Sequence, residues 1–69
     1  MDDIDEKILA ILRDTGRPMN IKEIVQLLDS TYHLRLLRQK VYARAESLNR
    51  YRFIEKKMNK NKIEYEVIE

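Results

Sequence analysis

Ten lysines and arginines lie between Leu34 and Lys62: Arg35, Arg38, Lys40, Arg44, Arg50, Arg52, Lys56, Lys57, Lys60 and Lys62. Only Glu46 and Glu55 oppose them, a local balance of +8. The flanks are acidic. Residues 1–33 hold four cations and seven anions, and Glu64, Glu66 and Glu69 give the last seven residues −3, so the whole chain averages to only +2. A basic block inside an otherwise acidic small protein is the footprint of a polyanion binder, and its bland counterpart is a well-solvated helix and turn.

Little else in the chain could do chemistry. One histidine, one glycine and no cysteine leave no phosphate loop, no metal-spaced ligand pair and no nucleophile–base set, which argues against an enzyme and against any cofactor or metal. The carboxylates gather in the first helical turn and on the outer face of a C-terminal hairpin, where they are expected to be plain surface. His33, beside Tyr32, reads as a loop residue.

At 69 residues the chain is expected to be a single domain, 1–69, burying roughly 60% of the surface of its unfolded state. Its 43% hydrophobic and 38% charged shares suit a folded protein. No apolar run nears the roughly 18–20 residues that cross a bilayer, and the Met1-Asp2-Asp3 start is acidic, so no membrane partner is expected and a cytoplasmic place is favoured, at a nucleoid or in a nucleus.

The elements that must position the basic block follow from periodicity. Residues 3–14 place Ile4, Ile8, Ile11 and Leu12 on one helical face, and Thr15-Gly16 supplies a left-handed stop. Arg17-Pro18-Met19 is a connector or a very short edge strand. Asn20 with Glu23 forms a capping box for a second helix, striped by Ile21, Ile24, Val25 and Leu28 and ended by Asp29-Ser30-Thr31.

Leu34, Leu37, Val41, Ala45 and Leu48 then make a buried stripe on a third helix. Its opposite face carries Arg35, Gln39, Ala43, Glu46 and Arg50, with Arg38 and Tyr42 on one flank and Lys40 and Arg44 on the other. Leu36 points outward in this register, unless the helix starts later, near Arg38, or Leu36 packs on the preceding loop.

Beyond Tyr51 the period falls to two. RFIEKKM and KIEYEVI read as strands about Asn59-Lys60-Asn61-Lys62. A loop of even length sets Met58 against Ile63, Lys56 against Tyr65 and Ile54 against Val67, one apolar face, with Lys57 opposite Glu64 outside.

Three helices and a hairpin, with RPMNIKEIVQLL, RQKVYARAESL and RFIEKKMNKNKIEYEVI in these places, resemble the winged helix-turn-helix family, an α+β fold. The pairing of Val41-Tyr42 with Ala45 and Leu48 is typical of its recognition helices. Two features depart from the pattern: Arg52 stands where the family commonly places a glycine before the first wing strand, leaving the left-handed turn to a residue such as Asn49, and the segment between helices 2 and 3 is longer than usual.

The resemblance implies duplex DNA as partner, a role in transcription regulation, and often a homodimer or a place in a larger transcription complex. It implies base-edge contacts for Arg35 and Gln39, a phosphate or base contact for Tyr42, phosphate contacts for Arg38, Lys40 and Arg44, and a wing tip of Lys60, Asn61 and Lys62 on phosphate or minor groove. Glu46 would read cytosine or restrain its arginine neighbours. Winged helices also serve as protein–protein modules, a rival that the charge block disfavours. RNA is disfavoured because the strands carry few aromatics, Phe53 and Tyr65, with no stacking platform.

Overall fold

The computed structural model describes residues 2–68. It contains α1 (Asp3–Thr15), α2 (Ile21–Tyr32), α3 (Arg38–Arg50), β1 (Ile54–Asn59) and β2 (Lys62–Val67). Glu69, expected on the outer hairpin face, and Met1 lie outside the described residues. Three helices followed by an antiparallel hairpin form the winged-helix architecture.

Capping chemistry sets the helix ends. The Asp2 carboxylate accepts from the Asp5 N–H at 2.9 Å to open α1, and Gly16 closes it at φ 63° while donating to the Leu12 carbonyl. At α2 the capping box is complete: Glu23 N–H donates to Asn20 Oδ1 at 2.8 Å, and Asn20 N–H donates to Glu23 Oε1 at 3.1 Å. This helix runs past the expected stop to Tyr32, because His33 takes the left-handed conformation at φ 55° and its N–H bonds back to Asp29 at 2.9 Å.

The third helix starts at Arg38, the later of the two starts considered, and its expected stripe needs correction. Residues 34–37 are extended, with Leu34 and Leu36 half-buried against the core and Arg35 and Leu37 outside. Leu37 is 75% exposed rather than buried. The spacing of Leu34, Leu37 and Val41 mimics a helical face, but burial alternates with period two, and that extended period brings both inward leucines to the core. Arg35 consequently sits on the connector and not on the helix.

The hairpin register is the expected one: Met58 pairs with Ile63, Lys56 with Tyr65 and Ile54 with Val67. Asn59 also pairs with Lys62, leaving a two-residue loop, Lys60-Asn61, with both residues at positive φ (49° and 66°). That geometry is a type I′ turn, whose twist matches the strands. The apolar face, however, is buried only at its base. Ile54 and Tyr65 are fully covered and Val67 partly, whereas Ile63 is 38% and Met58 70% exposed, because the strands outrun the helices. Lys57 stands opposite Glu64 as expected, but its ion pair is with Glu66, diagonally, at 2.8 Å. Arg52 itself adopts the left-handed turn, φ 68°, in place of Asn49.

The core joins all elements: Ile8, Leu9, Ile11 and Leu12 of α1, Ile24 and Leu28 of α2, Val41, Ala45 and Leu48 of α3, with Met19, Ile54 and Tyr65. Met19 serves as a single-residue edge strand. Its N–H donates to the Tyr65 carbonyl at 2.9 Å and its carbonyl accepts the Tyr65 N–H at 2.8 Å.

One acidic residue departs from its expected surface role. Asp5 is only 3% exposed and accepts two hydrogen bonds from the Arg44 guanidinium, from Nε at 2.8 Å and from Nη2. Arg44 also reaches Asp2 at 3.3 Å. This forked pair ties α1 to α3, and the Arg44 bonds hold the Asp5 carboxyl below its usual range despite burial.

Since the folded-state value is depressed, the pair's stabilisation is full above the unfolded carboxylate range and is lost as pH falls through the folded value. Asp5→Asn is expected to cost about 1.5–3 kcal/mol near neutral pH, the range for hydrogen bonds to charged groups. Its loss of stability below about pH 4 should be shallower than the parent's, since an unperturbed aspartate titrates there. Chemical denaturation at a series of pH values measures both; an acid limb as steep in the variant as in the parent contradicts the assignment.

Candidate nucleic-acid interface

Because Val41, Ala45 and Leu48 face the core, α3 turns Arg38, Gln39, Lys40, Tyr42 and Ala43 to solvent. Tyr42 is 46% exposed, so it is a surface residue rather than a core edge. The structure brings four of the sequence-selected residues, Arg38, Gln39, Lys40 and Tyr42, onto the first turn and a half of α3. Arg35 lies just before them on the connector, exposed, with its guanidinium 3.6 Å from Asp29. The wing tip, Lys60, Asn61 and Lys62, is a second exposed group, displayed by the turn.

The remaining cations of the basic block divide sharply by partner. Arg44 is held by Asp5 and Asp2, Lys56 by Glu46 at 3.0 Å, and Lys57 by Glu66. Arg38, Lys40, Arg50, Arg52, Lys60 and Lys62 stand in no ion pair among the described residues. Arg44, selected from the sequence as a phosphate contact, thus has its guanidinium engaged within the fold.

Glu46 is the residue whose part the sequence conceals. It accepts from the Tyr65 hydroxyl of β2 and from Lys56 Nζ of β1, so one carboxylate on α3 fastens both wing strands to the helix. The Tyr65 bond and then the Lys56 bond lower the Glu46 carboxyl, while burial, reinforced by Glu46, raises the Tyr65 phenol. A lone carboxylate among cations on α3 was the available signal; its partners are 10 and 19 residues away in sequence and visible only once the sheet is folded.

At α2, the Asn20 N–H is the largest influence lowering Glu23, with Arg17 next and Lys62 contributing through space. The wing's second strand meets the residue before this cap directly, through the paired Met19 and Tyr65 backbones. The interface that results has two exposed basic groups, one on the start of α3 and one on the wing tip, mounted on a base locked by Glu46–Tyr65–Lys56 and Asp5–Arg44. A helix start and a hairpin tip of this charge can bind phosphates and offer Gln39 for bidentate bonding to a base edge.

No protein-family model matches the chain, and no curated protein does. Among solved structures, RosR of H. salinarum superposes with a TM-score of 0.84 over 99% of this chain, at 19% sequence identity. The match takes in 61% of the RosR chain, so this protein spans about three fifths of that one. The agreement extends across all three helices and the hairpin, so the two chains share the fold described above.

Proposed function

We propose that the chain binds duplex DNA as a small transcription regulator, with the start of α3 in the major groove and the wing tip on phosphate or minor groove. The distribution of unpaired charge carries this reading. Internal carboxylates occupy Arg44, Lys56 and Lys57, yet Arg38 and Lys40 on α3 and Lys60 and Lys62 on the wing keep no partner among the described residues. Cations left over after the fold's own pairing favour an anionic partner. Gln39 and Arg35 supply the base-edge bonding, Tyr42 a phosphate or base contact, and Asn61 a polar contact at the tip. Arg44 acts indirectly here, by holding α3 against α1.

A second role is favoured by one surface. Tyr51, Phe53 and Ile68 are each exposed, and the Ile68 N–H donates to the Phe53 carbonyl at 3.2 Å, which brings the end of the chain to the segment after α3. An apolar group of this kind serves protein contacts, in a homodimer or a larger transcription complex. It lies beyond the C-terminal end of α3, away from the basic start of that helix.

With roughly four to five phosphates neutralised, the logarithm of the binding constant should fall against log salt with a slope of about −4. Titration of labelled duplex at several salt concentrations measures it; a flat dependence, or no binding at low salt, refutes the proposal. Replacing Lys60 and Lys62 with alanine should weaken binding to all sequences alike and reduce the slope by about 2, with melting unchanged. Gln39→Ala should shift sequence preference by about 1–3 kcal/mol at one adenine while altering other sites little. Equal losses on every sequence would make Gln39 a positioning contact only.

A further inference from the structure

Leu37 breaks two rules of local stability at once. It occupies the N-cap of α3, with φ −69° and ψ 147° and no side-chain hydrogen bond to the helix, a position where leucine is among the poorest residues. Its side chain is also 75% exposed. The same connector turns Leu34 and Leu36 inward, so the core has taken the leucines it needs and Leu37 is surplus to it. Local rules broken without benefit to the fold mark functional positions.

The surroundings define the ligand. Arg35, Arg38, Gln39 and Lys40 are exposed within three residues of Leu37. An apolar tip among cations suits a surface that is anionic overall yet carries a small apolar group. In the major groove of DNA, the apolar group on the base edges is the thymine C5-methyl, and residues at the start of an inserted helix are those that reach base edges. Gln39, two positions on, is suited to adenine, the partner of thymine.

We propose that Leu37 is a specificity-determining residue that packs on the C5-methyl of a thymine beside the base pair met by Gln39. This rests on the DNA-binding reading above. It adds an apolar readout that the basic residues cannot supply, since phosphate contacts carry no sequence information.

The test uses the whole chain. Preferred duplexes are first selected from a random pool, and each thymine is then replaced singly by deoxyuridine, which lacks only the methyl. Wild type should lose about three- to fivefold in affinity at one position, the effect of one buried methyl-sized group. Leu37→Ser and Leu37→Ala should bind the thymine and deoxyuridine duplexes alike. Leu37→Ser should also melt above wild type, because serine caps the helix that leucine leaves uncapped.

Indifference of wild type to every deoxyuridine replacement would overturn the proposal, as would the same methyl penalty persisting in Leu37→Ser. Melting of Leu37→Ser below wild type would make Leu37 structural and overturn it too. Salt-dependent duplex binding without methyl sensitivity removes Leu37 alone, whereas absence of duplex binding removes the DNA-binding reading with it.

Discussion

Tyr65 is the residue on which the arrangement turns. Its ring is wholly buried in the core, its backbone bonds on one side to Met19 and pairs on the other with Lys56, and its hydroxyl donates to Glu46. One side chain thereby connects the wing, the connector before α2, and α3. A buried phenol needs a partner, and here the partner is a carboxylate on the helix that would enter a groove. Lys56 closes on the same carboxylate from the neighbouring strand, so helix and wing are tied at two points. Removal of the carboxylate would leave a buried hydroxyl unsatisfied as well as freeing the strand.

The acidic residues of this small protein do more than balance its charge. Asp5, Glu46 and Glu66 each take a cation out of the basic block and convert it into an internal fastening. The exposed field that remains is narrower than the sequence total and concentrated at the start of α3, at its far end, and on the wing tip. Surface pairs such as Lys57–Glu66 add little stability by themselves. The nearly inaccessible Asp5 differs, since an unpartnered carboxylate in its place would be strongly disfavoured. Pairing and display are thus two uses of one set of charges.

Much of this was legible before folding. The Gly16 stop, the Asn20–Glu23 box and the hairpin register are local or follow from strict period-two geometry, and each is present as expected. The start of α3 was ambiguous for a definite reason: in LRLLRQKV the helical spacing of Leu34, Leu37 and Val41 overlays the alternation of Leu34 and Leu36. Only the left-handed His33 ahead of it, which sends the chain out extended, decides between them. Arg44 and Glu46 were legible as charges and not as partners, because Asp5 lies 39 residues from Arg44 and Tyr65 lies 19 from Glu46. The exposed Met58–Ile63 pair was concealed similarly, since alternation defines a face but not how far along it the core extends.

The backbone shows how far charge display competes with stability. Apart from Gly16, positive φ occurs among the described residues at His33, Arg52, Lys60 and Asn61. Asparagine and histidine tolerate that region comparatively well, whereas a long side chain there costs on the order of 1 kcal/mol, a strain glycine would relieve. At Arg52 and Lys60 the chain holds an unpaired cation on a backbone better suited to glycine, one before the first wing strand and the other at the wing's tip. Fold stability alone would favour glycine at both, and a glycine would carry no charge. Both side chains strain the backbone, pair with nothing among the described residues and are exposed, which adds to the observations behind the proposed anionic partner.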